Sequence, residues 1–475
     1  MAVYQVMVVD DSAFMRKIVS DLIEADSEFK VTATASNGKE AIQKAIDLKP
    51  DVITMDVEMP EMNGLDALKS IMKQSFVPVI MLSGINEQGM KETIMALEAG
   101  AFDFIRKPSI VHDQDIAQVG KALVERMRAA MDEIKRKADR EASMNKRDEA
   151  QSKLLQQSQR VQVDSPLQDR KGALKKTIEP SQSGMRHGSG QVESFREKPK
   201  QPTVPQTKQN MGRLDKTLES LRDANKASTS TDKLAKPNKP TQNSKENRLS
   251  NISRLAEQET ATASAEPSRD IAREITSHKG ADGSFNKLVA IGCSTGGPRA
   301  LKTLLEQLPG DLPAPVIIVQ HMPPNFTRSL AQRLNTFSEL HVVEAEEGMV
   351  LRKGTAYIAP GSFHVKVNKT ADGRFTIKLT EEDPVNGHRP SVDTMFESLL
   401  PYTSLQRHLV LLTGMGSDGA RMMKKLYEAG VTSTFAENEE TCVVYGMPRS
   451  AVELQCVRHL LPLQEIAPKL VQAVK

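Results

Sequence analysis

The chain has 475 residues, a formal net charge of +3, 39% hydrophobic residues and no tryptophan. This length suggests two to four domains, and the nearly balanced charge gives no indication of a nucleic-acid partner. No apolar run reaches the roughly 18 residues that span a bilayer, and the N-terminus lacks the form of a signal peptide. The three cysteines show no metal-ligand spacing, so we expect a cytoplasmic protein without direct membrane insertion.

Residues 1–125 alternate short apolar runs with helical patterns. The predicted strands are Val3–Val9, Lys30–Ala35, Val52–Met55, Val79–Leu82 and Phe102–Ile105. The predicted helices include Ala13–Glu24, Lys39–Leu48, Leu65–Lys73 and Met90–Ala99. This alternation predicts a doubly wound, flavodoxin-like (βα)5 α/β domain whose site lies at the C-terminal ends of its parallel strands.

Polar residues follow four of these predicted strands. Asp10 and Asp11 come after the first strand, Asp56 after the third, Ser83 after the fourth and Lys107 after the fifth. Three carboxylates in one place suit Mg²⁺, which prefers oxygen ligands. The Asp56 carboxylate can then act as a nucleophile toward a phosphoryl group, whose oxygens Ser83 and Lys107 would contact.

This part of the chain resembles the response-regulator receiver domain. The motifs that carry the resemblance are Val-Val-Asp-Asp-Ser (8–12), Met-Asp-Val-Glu-Met-Pro-Glu-Met-Asn-Gly (55–64), Met-Leu-Ser-Gly (81–84) and Phe-Asp-Phe-Ile-Arg-Lys-Pro (102–108). The resemblance implies that Asp56 is the phospho-acceptor, that Asp10 and Asp11 help to bind Mg²⁺, and that Lys107 senses the phosphoryl group. It also implies that Phe104 takes the aromatic switch position and that a histidine kinase donates the phosphoryl group.

Residues 126–143 continue the last receiver helix with a charged pattern that favours a solvated helix. Residues 144–283 are rich in polar residues and proline, and Phe195 is their only aromatic residue. Such a segment cannot bury enough apolar surface to offset its ordering entropy, so it predicts a long disordered linker. Leucines at helical spacing near 214–221 and 249–255 favour transient helices, with a partner-docking element as the alternative.

Residues 284–475 form a second α/β pattern, which predicts a doubly wound, mostly parallel sheet with helices on both faces and some antiparallel additions. The predicted strands are Leu288–Ile291, Val316–Val319, Leu340–Val343, Thr355–Ile358, Phe375–Leu379, Leu409–Leu412, Thr432–Phe435 and Cys442–Val444. The predicted helices are Pro298–Leu308, Phe326–Phe337, Val392–Leu400, Ala420–Ala429 and Ala467–Val474.

A glycine-rich turn follows the first strand of this second domain. Gly292, Ser294 and Gly296 fit the nucleophile-elbow pattern Gly-x-Ser-x-Gly, in which a serine lies at a strand-to-helix corner. Ser294 breaks the dinucleotide fingerprint, and Pro298 breaks the P-loop pattern. An ordinary glycine-rich turn with a capping hydroxyl remains the alternative for this stretch on its own.

A serine nucleophile requires a base, and six histidines lie in residues 284–475. His321 directly follows the predicted strand Val316–Val319 and its Gln320, at the sheet edge where Ser294 is expected. His388, in a polar loop, is the competitor. We favour His321 because a strand fixes its position.

The orienting acid is predicted in the same way. Asp418 lies in a glycine-rich turn after the strand Leu409–Leu412, where it can orient His321 or cap the following helix. Asp393 is the alternative. Backbone amides around Met415 can supply an oxyanion hole, worth about 3 kcal/mol per donor.

Residues 284–475 resemble the catalytic domain of the CheB chemotaxis methylesterases. The motifs are Ile-Gly-Cys-Ser-Thr-Gly-Gly-Pro (291–298), Val-Gln-His-Met-Pro (319–323), Ala-Pro-Gly (359–361), His-Arg-Pro-Ser-Val-Asp (388–393), Leu-Thr-Gly-Met-Gly-Ser-Asp-Gly-Ala (412–420) and Val-Val-Tyr-Gly-Met-Pro (443–448). An N-terminal receiver is part of that family's architecture too. The family's catalytic triad falls on Ser294, His321 and Asp418, the residues reached above from strand ends. Cys293 precedes the nucleophile where a small residue is usual.

The resemblance implies hydrolysis of glutamyl methyl esters on methyl-accepting chemoreceptors, with release of methanol through an acyl-enzyme. It also implies deamidation of receptor glutamines. Neither step needs a cofactor, so Mg²⁺ belongs to the receiver, and we expect a monomer. A non-catalytic receiver-containing scaffold in a signalling cluster is the alternative. A DNA-binding output would need a compact basic helix-turn-helix after the receiver, which the sequence lacks.

The two domains together predict control of one by the other. Our hypothesis is that the unphosphorylated receiver partly covers the Ser294 face and that phosphorylation of Asp56 shifts it away. A phosphoryl group adds nearly two negative charges, which can bias a two-state surface. A switch from 1:99 to 99:1 would need about 5.5 kcal/mol, so we expect a leakier basal state.

Overall fold

The structure is a computed structural model that describes residues 3–74, 77–84, 86–108, 113–163 and 284–475. Within the helix that begins at Asp113, side chains are described from 116 to 146. Among the described residues, no helix combines the length and the apolarity needed to cross a bilayer.

The N-terminal part alternates strands and helices as the sequence predicts. The strands are β1 (Tyr4–Val9), β2 (Phe29–Ala35), β3 (Val52–Asp56), β4 (Val79–Ser83) and β5 (Asp103–Arg106). The helices are α1 (Ala13–Glu24), α2 (Gly38–Leu48), α3 (Gly64–Gln74), α4 (Glu87–Glu98) and α5 (Asp113–Val163). The strands form one parallel sheet in the order β2-β1-β3-β4-β5, which confirms the flavodoxin-like prediction.

Helix α5 corrects the predicted boundary of the linker. It has 51 residues and continues over 144–163, which the sequence analysis assigned to a disordered segment. These residues are mostly Gln, Lys, Arg, Leu, Glu and Ala, and each of these has a high helix propensity. A composition-based argument undervalues that propensity because it considers only apolar burial. The rest of the predicted linker, including both short helical patterns, lies outside the described residues.

The C-terminal part contains nine strands and six helices among residues 284–475. The strands are β6 (Lys287–Cys293), β7 (Val316–Gln320), β8 (His341–Glu344), β9 (Thr355–Ile358), β10 (His364–Lys369), β11 (Phe375–Thr380), β12 (Gln406–Leu411), β13 (Ser433–Glu437) and β14 (His459–Leu461). The helices are α6 (Gly297–Leu305), α7 (Phe326–Asn335), α8 (Val392–Glu397), α9 (Ala420–Glu428), α10 (Met447–Glu453) and α11 (Leu463–Val474).

Seven of these strands form a parallel sheet in the order β14-β13-β12-β6-β7-β9-β8. Strand β6 lies in the middle and is buried on both faces, because its alternate residues enter two different cores. Val289 and Ile291 pack with the side chains of α6, α7 and α11. Leu288 and Ala290 pack with those of α8 and α9 and with the antiparallel hairpin β10–β11.

Four elements of this part differ from the prediction. The stretch Cys442–Val444 is not a strand but a loop. The Gly414–Tyr445 bridge directly after it joins the chain to the segment after β12. The apolar character of Cys442–Val444 has another cause, since Val444 is buried in the same apolar cluster as receiver residues of β1, β4 and α5. Strands β10 and β14 and helix α10 were not predicted, because they are short and carry polar residues.

Candidate functional site

The register of β6 and β7 brings Ser294 next to His321. Cys293 pairs with Gln320 at the C-terminal ends of these parallel strands, so the next residue of each strand is Ser294 or His321. The His321 amide donates to the Cys293 carbonyl at 3.4 Å. Both residues therefore leave the sheet at the same edge, as the sequence predicts.

The buried amide of Gln320 links the two chain segments. Its Nε2 donates to the carbonyl oxygens of Ser294 at 3.0 Å and of His321 at 3.3 Å. Its Oε1 accepts from the Cys293 thiol, with an Sγ–Oε1 distance of 3.1 Å. Burial raises the pKa of the Cys293 thiol far above its usual range, so the sulfur keeps the proton that it donates.

A close backbone approach makes this arrangement possible. A Cβ atom on Gly297 would lie 1.8 Å from the Gln320 Oε1, so a larger residue there would displace the Gln320 amide. The preceding Gly296 has a φ of 80°, in the left-handed region that favours glycine. The local geometry therefore favours glycine at both positions of the turn. Helix α6 begins at the second of them, Gly297.

His321 and Asp418 form a buried pair. Their side chains are 6% and 1% exposed, and the His321 Nε2 lies 2.9 Å from the Asp418 Oδ2. An ionised carboxylate only accepts hydrogen bonds, so Nε2 carries the hydrogen of the neutral ring. The Nδ1 atom of His321 is buried without a hydrogen-bond partner, and it is left with a lone pair to accept a proton.

Several donors converge on the Asp418 carboxylate. Oδ1 accepts from the Asn386 amide at 2.8 Å, the Ser391 hydroxyl at 2.8 Å and the Asp393 backbone at 3.1 Å. Oδ2 accepts from the Val392 backbone at 2.6 Å as well as from His321. Burial raises the pKa of Asp418, but the hydrogen bonds from His321, Asn386 and Val392 outweigh burial and hold the pKa well below its usual range.

Asp393 and His388, the alternative acid and base, make different contacts. Asp393 accepts from the Met422 amide at 3.0 Å, near the start of α9, while Asp418 accepts from the first amides of α8. Asp418 therefore accepts from the start of α8, in which Asp393 lies, and Asp393 accepts from the start of α9, which follows Asp418. His388 stacks on His321, with ring centroids 3.8 Å apart and an angle of 11° between the planes. It contacts the base by its face, which is unsuited to proton transfer.

The predicted oxyanion donor lies in the loop after β12. The backbone of Gly414, next to Met415, donates to Val444 and accepts from Gly446 and Met447. The Ser294 amide donates to the Thr413 carbonyl at 3.0 Å, which joins this loop to the nucleophile turn. The loop is therefore fixed beside Ser294, and its backbone amides stay candidates for the oxyanion hole.

The predicted phosphorylation site is assembled at the C-terminal edge of the receiver sheet. The Lys107 Nζ lies 2.8 Å from the Asp10 Oδ2 and 2.7 Å from the Asp56 Oδ2. The Asp10, Asp11 and Asp56 side chains each offer an oxygen within 4.8 Å of the others. Asp10 and Asp56 are buried, whereas Asp11 is exposed. This set of oxygen atoms fits a Mg²⁺ ion.

Burial raises the pKa of Asp56 to about 6, although Lys107 opposes the shift. The ionised form of this buried carboxylate is unfavourable on its own, and a cation bound beside it would stabilise that form. The Ser83 hydroxyl donates to the Gly84 carbonyl at 3.0 Å and accepts from Thr93 at 2.7 Å. Ser83 is thus at the site, but in this state its hydroxyl bonds to these neighbours.

Comparison with known proteins agrees with both halves of this description. Residues 289–470 match the family model of the CheB methylesterase, and residues 6–119 match that of the response regulator receiver domain. A protein-glutamate methylesterase/protein-glutamine glutaminase of Geobacillus kaustophilus is 35% identical over 100% of this chain and 99% of its own length. The chain belongs to the CheB family.

A protein of the same name from Halalkalibacterium halodurans is 33% identical over 99% of this chain and 98% of its own length. The crystal structure of the Thermotoga maritima CheB methylesterase catalytic domain has 43% identity, covers 40% of this chain and 99% of its own, and gives a TM-score of 0.38. The alternative reading of a non-catalytic scaffold finds no support among these relatives.

In this CheB-family chain the receiver contacts the nucleophile turn directly. The Thr295 hydroxyl donates to the Asp103 carboxylate at 2.6 Å. The neighbouring Phe104, at the predicted aromatic switch position, packs on Phe326 of α7 with ring centroids 4.7 Å apart. Two consecutive residues of β5 therefore contact the catalytic part, Asp103 at the nucleophile turn and Phe104 at α7.

Two further contacts flank this one. Arg333 of α7 forms a two-pronged ion pair with Glu98 of α4, with nitrogen–oxygen distances of 3.1 and 3.0 Å. Arg136, beyond the predicted receiver boundary, donates to the Tyr445 carbonyl at 3.2 Å. That contact shows that the extension of the last receiver helix is not wholly solvated, because its first turns pack against the loop beside Met415.

Sequence analysis missed three residues that hold the site together, namely Gln320, Asn386 and Thr295. Their only sequence signal was adjacency: Gln320 precedes His321, Thr295 follows Ser294, and Asn386 lies two residues before His388. A polar residue beside a predicted catalytic residue is a candidate for a positioning group.

Proposed function

We propose that this protein is a phosphorylation-regulated hydrolase of bacterial chemotaxis. It hydrolyses glutamate methyl esters on chemoreceptors and deamidates receptor glutamines through the triad Ser294, His321 and Asp418. The observation that carries the proposal is the buried His321–Asp418 hydrogen bond, which leaves the other ring nitrogen open at the strand end beside Ser294. All three cysteines are free thiols, in keeping with a cytoplasmic location.

In this arrangement ester hydrolysis proceeds in two half-reactions, acylation and deacylation of Ser294. The Ser294 Oγ attacks the ester carbonyl carbon while the His321 Nδ1 takes the hydroxyl proton, and Asp418 balances the charge on the ring. The tetrahedral intermediate collapses, and the imidazolium gives its proton to the departing methoxide, which leaves as methanol. Water then attacks the acyl-enzyme with the help of His321, so that glutamate and free Ser294 are released.

Deamidation uses the same groups with a different leaving group. A glutamine side chain forms the same acyl-enzyme, and ammonia leaves in place of methanol. The amides of the loop around Met415 are suited to stabilise the oxyanion of both reactions, because that loop is bonded to the nucleophile turn. One site therefore serves both activities named for the relatives.

The receiver would control access to this site. We propose that a histidine kinase phosphorylates Asp56 and that the contacts of Asp103, Phe104 and Glu98 with the catalytic part then weaken. In support, Asp103 and Phe104 lie in β5, whose neighbour β4 ends at Ser83, and they contact Thr295 and Phe326. Mg²⁺ held by Asp10, Asp11 and Asp56 would neutralise negative charge during phosphoryl transfer. Lys107 would then pair with the phosphoryl oxygens.

Isotope labelling tests the chemistry. Receptor membranes with methylated glutamates are incubated with the enzyme in ¹⁸O-labelled water, and methanol and receptor peptides are analysed by mass spectrometry. Attack at the ester carbonyl, which the acyl-enzyme route requires, puts one ¹⁸O into the glutamate carboxylate and leaves the methanol unlabelled. Labelled methanol, or no methanol at all, would contradict the proposal.

A comparison of rates tests the regulation. The full chain, the Asp56→Asn variant and residues 284–475 alone are assayed with and without a small phosphodonor. We expect the phosphodonor to accelerate only the full chain and the isolated residues 284–475 to be active without it. Equal rates in all three proteins under both conditions would contradict control by the receiver.

A further inference from the structure

A tight turn at Val385–His388 reaches both members of the acid–base pair. The amide of Val385 donates to the His388 carbonyl at 3.1 Å, and the amide of His388 donates back at 3.0 Å. Asn386 and Gly387 have φ angles of 54° and 79°, which suits the Asn-Gly sequence of a two-residue turn. We call these four residues the 385–388 turn. It follows the hairpin β10–β11 and precedes α8.

The Asn386 side chain of this turn contacts the orienting acid. The Asn386 Nδ2 donates to the Asp418 Oδ1 at 2.8 Å and to the Asp393 Oδ2 at 2.9 Å. One amide group thus uses its two hydrogens to bridge two buried carboxylates. Because like charges repel strongly where water is excluded, this bridge stabilises the position of Asp418.

The last side chain of the turn contacts the base. The His388 ring lies parallel to the His321 ring, with centroids 3.8 Å apart. Burial, followed by the proximity of His321, lowers the pKa of His388 to about 4, so the His388 ring is neutral at physiological pH. A neutral His388 ring tolerates a positive charge on the stacked His321 ring. A protonated His388 ring would instead repel that charge.

We propose that the 385–388 turn is a positioning element of the catalytic site, in which Asn386 fixes Asp418 and His388 fixes the ring of His321. This inference rests on the proposed function. Neither residue exchanges protons with the substrate. The His388 face limits rotation of the His321 ring about its side-chain bonds and keeps water from one side of it. The Asn386 amide keeps the Asp418 carboxylate in line with the Nε2 hydrogen.

Substitutions at position 388 separate ring stacking from other roles. His388→Ala should lower kcat about 10- to 100-fold with little change in KM, because a misdirected base slows the chemical step rather than binding. His388→Phe keeps a neutral ring face, so it should restore most of the lost kcat. The turn is at the surface, so neither change is expected to prevent folding, which circular dichroism of the full chain would verify.

Substitutions at position 386 test the amide bridge without backbone strain. Asn386→Gly keeps the positive φ and removes the amide, and it should lower kcat about tenfold, in line with a hydrogen bond to a charged group. Asn386→Asp keeps the shape but adds a third carboxylate, so its loss of kcat should be larger.

His459→Ala is the matched control for His388→Ala, since His459 also stacks on an aromatic ring but lies on the edge strand β14.

The assays use a soluble substrate, N-acetyl-glutamate γ-methyl ester, as well as methylated receptor membranes. Losses of kcat on both substrates, with rescue by His388→Phe, would support the inference. A loss confined to receptor membranes, or a change in KM alone, would show that the turn binds the receptor and would overturn it. Unchanged kcat in His388→Ala and Asn386→Gly, while Ser294→Ala is inactive, would also overturn it. Full activity of Ser294→Ala would instead refute the proposed function.

Discussion

The Thr295 hydroxyl and the Asp103 carboxylate form a buried hydrogen bond of 2.6 Å between the catalytic part and the receiver. Thr295 directly follows Ser294, and Asp103 directly precedes Phe104. Asp103 is also held by Arg126 of α5 at 3.3 Å. A change in the position of β5 would therefore alter a hydrogen bond of Thr295, the residue next to Ser294.

This hydrogen bond predicts the effect of Thr295→Val on regulation. Valine keeps the shape of threonine but leaves the Asp103 carboxylate without this donor, which costs about 1.5–3 kcal/mol in the docked state. We expect the basal esterase rate of the unphosphorylated chain to rise about tenfold or more, and the rate with a phosphodonor to stay the same. Equal losses of activity in both states would show instead that Thr295 supports the chemistry of Ser294.

The Glu98–Arg333 pair offers a charge-reversal test of the same interface. The Glu98 side chain is only 7% exposed, so reversing either charge leaves a buried like-charge pair. Glu98→Arg and Arg333→Glu should each raise the basal rate several-fold, and the double reversal should bring it back toward the wild-type value. Additive effects of the two reversals, measured by methanol release without a phosphodonor, would contradict a docked resting state.

The buried His408 and the half-buried His388 predict how stability depends on pH. Burial lowers the pKa of His388 and of His408 from 6.5 to about 4. Between these values the unfolded chain binds more protons than the folded chain, so the free energy of unfolding falls as the pH falls from 6.5 to 4. Each histidine contributes up to about 3 kcal/mol to this loss.

The measurement is denaturant unfolding of the full chain and of His388→Phe and His408→Leu between pH 4 and 7. Each variant should lose stability less steeply than the wild type as the pH falls through this window. Identical slopes for the wild type and both variants would contradict the assignment of neutral rings to His388 and His408.

The receiver carboxylates predict stabilisation by Mg²⁺. A site that binds the ion only in the folded state stabilises it by about 2.7 kcal/mol when the free ion is at 100 times its dissociation constant. We expect Mg²⁺ to raise the unfolding temperature of the receiver transition in calorimetry of the full chain. Asp10→Asn should abolish the shift, whereas Asp47→Asn, at an exposed carboxylate of α2, should leave it intact. A shift that survives Asp10→Asn would place the ion elsewhere.

The central strands and the three proposed catalytic residues could be found from the sequence for one physical reason. Buried parallel strands appear as short apolar runs, and the residues that follow them meet at one edge of the sheet. Ser294, His321 and Asp418 each follow such a run, and the structure brings their strands β6, β7 and β12 together as neighbours. Asp56 and Lys107 follow the same rule in the receiver.

The rest depends on contacts between distant segments, which periodicity does not encode. Val444 is apolar because it packs into a cluster with receiver residues, so Cys442–Val444 was wrongly predicted as a strand. Asn386 lies 32 residues from Asp418, and its role follows only from the folded turn. His388 was recognised as a neighbour of the site, but sequence alone could not separate a base from a stacked ring.

The most direct test of the account is methanol release from methylated receptor membranes by wild-type protein and by the Ser294→Ala variant, both with a phosphodonor. Removing the nucleophile of a triad leaves only the small catalysis supplied by binding and oxyanion stabilisation. We predict that Ser294→Ala lowers the rate by at least about a thousandfold while the variant still accepts phosphate on Asp56. A variant that releases methanol at the wild-type rate would contradict the proposal that Ser294 is the nucleophile.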